Sequence, residues 1–240
     1  IFSGNAGKLA AENLLGKIYH RANVELGRAY PELSIQDGDL ILHGVEKQMT
    51  LGELGKIAQE QGEPLCAEGC YFPRTDIDYS TGQGEVVYLS YTFNTHFVEV
   101  EVDTETGQVD VIRIVAAPDV GKVINPVGLE GQSEGGAVMG LGMALMEEQV
   151  FCQGITRNPD LASYLVPTSL DVPDVVTIPV ESGDACGPYG AKGIGEPAMI
   201  PTAPAIFNAI EDAAGIRLYS MPATPEKILA ALKAKEGQHE

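Results

Sequence analysis

The sequence has 240 residues, of which 34 are acidic and 15 are Lys or Arg, so its formal net charge is −19. Nucleic-acid phosphates and anionic lipids repel such an excess of negative charge, which excludes both as expected partners. Hydrophobic residues make up 44%, a proportion typical of a globular protein. Without a membrane-length apolar run or a signal-peptide pattern, we expect a cytoplasmic protein. The start at Ile1 rather than Met predicts a portion of a longer protein.

The cysteines and histidines are dispersed along the chain rather than grouped. Their spacing fits neither a disulfide framework nor a zinc site, and no four cysteines are placed together to hold an iron–sulfur cluster. We therefore predict reduced thiols and no direct protein ligand to a metal. The residues concerned are Cys66, Cys70, Cys152, Cys186, His20, His43, His96 and His239.

The first predicted element is a long helix at 5–26, where apolar residues recur with helical spacing. Ser3 is its predicted N-cap and Gly27 its stop. An Asp-Gly pair at 37–38 before an apolar run predicts a hairpin turn. A capping box at 50–53 predicts the start of a short helix.

The clearest element is a hairpin at 97–115, where Val alternates with charged residues before a turn at 104–107. Turn signals and apolar periodicity divide the rest of the chain. The remaining predicted elements are a glycine-rich apolar helix at 128–148, a strand at 175–180, a helix ended by Gly215 and a last helix that begins at 224–226.

Helices and hairpins are mixed without regular βαβ alternation, so the predicted fold class is α+β. We predict two α+β subdomains. The first, at 1–127, contains the hairpin, and the second, at 128–240, contains the glycine-rich helix and a glycine-rich loop.

Two short patterns favour other chemistries. Residues 131–135 fit the G-x-S-x-G pattern of a serine hydrolase, but residues 125–130 cannot form the strand that must precede the serine. The only later histidine is His239. Lys192 follows a glycine-containing stretch as in a phosphate loop, yet Gly193 stands where that loop needs Ser or Thr. Both interpretations are disfavoured.

The loop at 190–197 has three glycines, which would let its backbone approach a bulky ligand. Glu196 lies between Gly195 and Pro197, so a rigid, partly buried carboxylate there could act as a general base. The plain alternative is a glycine-rich turn with an exposed glutamate.

The helix that begins near Gly131 offers a second candidate site. Its N-terminal amides and small residues would allow an anion or another helix to approach closely, and Gln132 could direct its amide into a site. Tight helix packing is the alternative explanation. The small residues are Gly135, Gly136, Gly140 and Gly142.

Taken together and in order, these motifs resemble the molybdopterin-binding portion of the molybdenum hydroxylases, the xanthine dehydrogenase/aldehyde oxidase family. The resemblance extends over essentially the whole chain. The segments that carry it are 98–107, 119–126, 131–142, 187–197 and 223–228.

The resemblance implies the fold of that domain and a set of site residues. Glu196 would be the general base that takes the proton from the attacking, water-derived oxygen. Gln132 would hydrogen-bond an oxygen ligand of molybdenum, and the pterin dithiolene would hold the metal. The other implied cofactor-binding residues are Gly131, Ser133, Lys192, Gly193, Ile194, Gly195, Ser3, Gly4 and Asn5.

The resemblance also implies cofactors and partners. The molybdopterin would be the cytosine dinucleotide form, with iron–sulfur clusters and FAD on partner chains. An upstream molybdopterin-binding chain or domain, an iron–sulfur subunit and a flavin subunit would complete a hetero-oligomer, without which this chain is inactive. The small-molecule substrate would be an N-heterocycle, an aldehyde or an aromatic thioester. A non-catalytic structural or assembly subunit with the same fold is the second hypothesis.

Overall fold

In the computed structural model, which describes residues 1–27, 32–44 and 46–237, the chain divides into two units between Leu89 and Ser90. The predicted boundary between residues 127 and 128 differs from this one. The reason is packing, because the hairpin near residue 100 lies against the helix that Gly215 ends and so belongs with the later elements. His239 and the rest of 238–240 lie outside the described residues.

The first unit consists of two helices and a three-stranded antiparallel sheet of order β1-β2-β3. Leu33, Leu40 and Leu42 of the sheet are buried with Ala22 and Leu54 of the helices, and these five residues form its core. The elements are α1 (Phe2–Leu26), β1 (Leu33–Gln36), β2 (Asp39–Leu42), β3 (Glu46–Thr50) and α2 (Leu51–Glu60).

Most turn and cap signals of this unit are confirmed. The capping box of α2 is present, with the Thr50 N–H donating to Glu53 Oε2 over 2.8 Å and the Glu53 N–H donating to Thr50 Oγ1 over 3.0 Å. Gly27 ends α1 with a φ of 60°. The predicted Ser3 cap is wrong, because α1 begins earlier, at Phe2, whose ring packs edge-on against Tyr71.

The second unit contains a three-stranded sheet of order β4-β5-β8, covered by helices. The predicted hairpin is confirmed as an antiparallel pair with a bulge at Glu99/Val100. The elements are β4 (Asn94–Val102), β5 (Val109–Pro118), α3 (Pro126–Leu145), β6 (Phe151–Cys152), β7 (Ile155–Thr156), β8 (Asp174–Thr177), α4 (Thr202–Ala214) and α5 (Pro225–Glu236).

One feature of this sheet lies outside the predictions. Strand β8 pairs with β5 in parallel, and α3 lies in the connection between them. The predicted α+β fold class is confirmed, since helices, hairpins and this single parallel pair are combined in one chain. Among the described residues, no helix has both the length and the apolarity to cross a lipid bilayer.

Helix α3 begins at Pro126, two residues before the predicted start, because Asn125 caps it by accepting a hydrogen bond from the Gly128 N–H over 3.1 Å. Its inner face packs against the segment that leads into α4. A Cβ atom on Gly136 would lie 2.5 Å from Ala198 Cβ, and one on Gly140 would lie 2.5 Å from Thr202 Cβ. These two glycines therefore allow close packing, as the alternative explanation of the glycine-rich helix predicts.

The glycines on the outer face of α3 have a different environment, and a matched pair of variants tests it. Cβ atoms on Gly131 and Gly135 would meet no atom within 4 Å. We expect Gly136→Ala to lower the free energy of unfolding by about 1–3 kcal/mol through overpacking. Gly135→Ala should raise it by up to about 1 kcal/mol, because alanine favours the helix. Thermal unfolding of the assembled protein measures both, and equal shifts would contradict the assignment of the two faces.

Candidate active site

A buried ion pair joins the end of β5 to a long loop at 183–201, which contains the glycine-rich stretch at 190–197. Lys192 Nζ lies 2.6 Å from Asp119 Oδ2, and the two side chains are only 8% and 12% exposed. Ser182 Oγ lies 2.7 and 2.9 Å from the two Asp119 carboxylate oxygens, and the Gly121 N–H donates to Oδ1 over 3.0 Å. The lysine is thus fixed at the base of the loop by a carboxylate whose other hydrogen bonds are also made within the chain.

The charge of Asp119 is maintained by these contacts. Burial by itself raises the pKa of the carboxyl, but hydrogen bonds from Lys192, Ser182 and the Gly121 N–H, with the lysine's charge, outweigh it and lower the pKa from 3.8 to about 2. Asp119 is therefore ionised throughout the neutral range and forms an ion pair with Lys192.

Backbone contacts reinforce this connection. The Lys192 N–H donates to the Val120 carbonyl over 2.8 Å, and the Gly183 N–H donates to the Gly121 carbonyl over 2.9 Å. Gly121 has a φ of 68°, and a Cβ atom there would lie 2.3 Å from the Gly190 carbonyl oxygen. Only glycine fits at this position, because both the backbone conformation and the close approach exclude a side chain.

Residues just before β4 and at its start form hydrogen bonds with the same loop and with the start of α4. At 90, 92, 94 and 96, alternate residues carry polar side chains, whereas Phe93 within this stretch and Phe97 directly after it are 69% and 68% exposed. We call these four residues the polar row. Its contacts are Ser90 Oγ with the Asp184 carboxylate, Thr92 Oγ1 with the Gly193 carbonyl (2.9 Å), Asn94 Nδ2 with the Pro197 carbonyl (3.0 Å) and His96 Nδ1 with Thr202 Oγ1 (3.1 Å).

His96 is neutral and has a defined tautomer. Burial lowers the pKa of its imidazole below the usual 6.5. Asn94 Nδ2, a donor, lies 3.3 Å from His96 Nε2, so that nitrogen accepts and the ring proton resides on Nδ1, facing Thr202 Oγ1. The end of the polar row is thus connected to the first residue of α4.

The structure brings the two principal predicted residues onto one surface of the second unit. Gln132 is exposed on the outer face of α3, and its Oε1 lies 3.8 Å from the position that a Cβ atom on Gly195 would occupy. Glu196 follows directly, in a turn where the Met199 N–H donates to the Glu196 carbonyl over 3.1 Å. The Gln132 amide therefore lies beside the residue that precedes Glu196.

Glu196 differs from the expectation in one respect. Its side chain is exposed in this chain rather than partly buried, because the turn carries it outward and none of the described residues of the second unit covers it. The carboxylate is nonetheless attached to a backbone that is held on both sides, at Gly193 by Thr92 and at Pro197 by Asn94.

Two other predicted residues lie beneath this surface. Ser133 is 1% exposed on the inner face of α3, and its Oγ has no hydrogen-bond partner among the described residues. A hydrolase elbow would expose that oxygen, so the structure excludes the serine hydrolase alternative. The ammonium of Lys192 is occupied by Asp119, which removes the phosphate-loop alternative as well.

The remaining predicted residues are distributed over both units. Gly131, Gly193 and Gly195 are exposed, and Ile194 lines a cleft of about 210 Å³ together with Lys122, Asn125 and Leu129. Ser3, Gly4 and Asn5 form part of the first turn of α1 in the first unit, where Ser3 and Gly4 are exposed and Asn5 is half-buried.

Sequence reasoning missed the residues that hold the loop. Asp119, Ser182, Thr92, Asn94 and Asp184 were not identified as site residues. A usable signal exists for the polar row, because a strand with exposed aromatic residues and inward polar ones reverses the usual amphipathic pattern. Asp119 carries no such signal, since its partner is 73 residues away in sequence.

Comparison with known proteins identifies the family. The molybdopterin cofactor-binding domain model matches residues 1–173. The chain belongs to the molybdenum hydroxylase family. It is 34% identical over 226 residues to a xanthine dehydrogenase molybdenum-binding subunit of Escherichia coli O157:H7, covering 91% of this chain and 28% of that protein.

Two further relatives extend the comparison. The 6-hydroxypseudooxynicotine dehydrogenase complex subunit gamma of Paenarthrobacter nicotinovorans is 30% identical over 240 residues, covering 96% of this chain and 29% of that one. The crystal structure of quinoline 2-oxidoreductase from Pseudomonas putida 86 superposes with a TM-score of 0.77 at 28% identity, covering 93% of this chain and 28% of that one. The chain thus spans less than a third of these relatives.

The Asp119–Lys192 pair predicts a specific response to acid. Because folding lowers the pKa of Asp119, its contribution to stability is complete above the unfolded value of 3.8 and is lost as the pH falls towards about 2. At neutral pH, Asp119→Asn leaves Lys192 buried without a counter-charge and should cost roughly 3 kcal/mol.

Unfolding followed by circular dichroism at pH 7, 4 and 2 measures this effect in the assembled protein. The difference between the wild type and Asp119→Asn should shrink as the pH falls below about 4. The exposed Asp212→Asn variant is the control and should differ little from the wild type. A wild type–Asp119→Asn difference that is constant from pH 7 to 2 would contradict the ion-pair assignment.

Proposed function

We propose that this chain is a catalytic portion of a molybdenum hydroxylase, which inserts a water-derived oxygen at an electron-poor carbon of a small molecule and passes two electrons to iron–sulfur clusters. The observation that carries the proposal is the placement of Gln132 beside Gly195, which precedes Glu196. An amide can orient an oxygen, and an exposed carboxylate can accept its proton.

The residues present fit a molybdopterin cofactor. Cβ atoms on Gly131 and Gly193 would meet no atom within 4 Å, so a bulky group can approach the backbone there. When bound, the cofactor supplies the two-electron oxidation.

Each residue of this surface has a proposed role. Glu196 accepts the proton of the attacking oxygen, and the Gln132 amide orients the cofactor by hydrogen bonding. The backbone of 193–195 would line the cofactor. Lys192 and Ser133 would act from beneath it, the lysine by fixing the loop through Asp119.

The names of the relatives support a substrate class. Quinoline and xanthine, in the names of two relatives, are N-heterocycles, so we favour an N-heterocycle over an aldehyde or an aromatic thioester. Two relatives are named as subunits, one of them of a complex, which supports partner subunits. We propose that these partners are an iron–sulfur subunit, a flavin subunit and an upstream molybdopterin-binding portion. We propose the cytosine dinucleotide form of the cofactor.

Substitution of the proposed base tests the chemistry. Glu196→Gln removes the proton acceptor while keeping the shape, so turnover per bound molybdenum should fall by about 10²–10⁴-fold. Molybdenum content and unfolding temperature should stay unchanged. The exposed Glu101→Gln variant on β4 is the control. Near-normal turnover of Glu196→Gln would refute its assignment as the base.

The metal content of the purified native complex separates the proposal from the second hypothesis, a non-catalytic structural subunit. We expect molybdenum in stoichiometric amount together with iron, measured by elemental analysis of the complex that contains this chain. A stable, well-folded complex without molybdenum would favour the structural role.

A further inference from the structure

We propose that the polar row, and above all Thr92 and Asn94, positions the Glu196 carboxylate, so that these two side chains act as positioning residues for proton transfer. This inference rests on the proposed function of Glu196. It concerns residues that lie more than 100 positions from Glu196 in the sequence and carry no motif of their own.

The first argument is the location of the two hydrogen bonds. Thr92 Oγ1 donates to the Gly193 carbonyl over 2.9 Å, and Asn94 Nδ2 donates to the Pro197 carbonyl over 3.0 Å. These acceptors lie three residues before and one residue after Glu196. Both ends of the short segment that carries the carboxylate are therefore hydrogen-bonded to side chains at and just before the start of β4.

The second argument is the composition of the segment between these two acceptors. Gly193 and Gly195 are exposed, and neither contributes a side chain that could pack. Glycine also gives the backbone more conformational freedom than any other residue, so the direction of Glu196 depends on what holds the flanking peptides. Within the segment, the described contacts are the Ala198 N–H to the Ile194 carbonyl, over 3.3 Å, and the Met199 N–H to the Glu196 carbonyl.

The third argument is the burial pattern of residues 90–97, in which polar side chains face inward and aromatic ones face outward. The row places hydrogen-bonding side chains inward and leaves Phe93 and Phe97 exposed, at a cost in apolar burial within this unit. Asn94 is fixed further by His96, whose neutral ring accepts from the same amide and contacts Thr202 at the start of α4. Asn94 is thus fixed between the start of β4 and the start of α4, and Thr92 lies two residues before β4. Accurate placement of a reacting group requires such support.

The test compares isosteric and conservative variants in the assembled, molybdenum-loaded enzyme. Thr92→Val keeps the shape but lacks the donor, whereas Thr92→Ser keeps the hydroxyl. We expect Thr92→Val and Asn94→Ala to lower kcat per molybdenum by about 10- to 100-fold with little change in KM. Thr92→Ser should recover most of the loss. Thr95→Ala, an exposed residue on the same strand, is the matched control.

A double-variant cycle distinguishes positioning from general loosening of the fold. When Glu196 is already Gln, Thr92→Val should reduce the single-turnover rate little further, because the carboxylate that it positions is gone. An equal loss in both backgrounds, or a loss of bound molybdenum that accounts for the lower activity, overturns the proposal. If Asn94→Ala fails to assemble, Thr92→Val and Thr92→Ser decide the question.

The outcomes separate this inference from the proposed function. Normal kcat in Thr92→Val, with Glu196→Gln inactive, overturns the positioning role and leaves the base assignment intact. Normal turnover in Glu196→Gln overturns the base assignment and, with it, the role of the polar row.

Discussion

The second unit depends on one buried ion pair, between Asp119 at the end of β5 and Lys192 in the loop. A lysine that is 8% exposed is tolerable only when its charge is compensated, and the Asp119 carboxylate, with a pKa of about 2, supplies that compensation. Because Gly121 lets the loop backbone approach closely, the pair also fixes the position of residues 190–197 beside the end of β5. Glu196 lies in this fixed stretch.

The polar row imposes a second constraint on the position of the loop. The polar row uses hydrogen bonds, rather than apolar packing, to hold a loop that consists largely of glycine and small residues. Such a loop has few side chains to bury, so directional bonds to its carbonyl groups are the available means of fixing it. The exposed Phe93 and Phe97 are the consequence, since a strand that turns its polar residues inward must turn the others outward.

The two faces of helix α3 have different environments. Gly136 and Gly140 admit Ala198 and Thr202 to within contact distance of the helix backbone, whereas Gly131 and Gly135 leave the opposite face open beside Gln132. Close packing therefore explains the first two glycines, and the proposed approach of a ligand concerns the open face. The helix packs tightly on the segment that follows Glu196. This packing fixes the backbone position of Gln132 relative to that segment.

The sequence by itself determined the local elements and the family. The Asp-Gly hairpin turn, the Thr50–Glu53 capping box, the valine-rich hairpin and the glycine stops at Gly27 and Gly215 all follow from backbone preferences over a few residues. Only the tertiary structure decided the start of α1, the parallel β5–β8 pair, the division at Leu89/Ser90, the exposure of Glu196 and the partners of Asp119 and Thr92. Each of these depends on contacts between residues distant in sequence, which local propensity and periodicity do not encode.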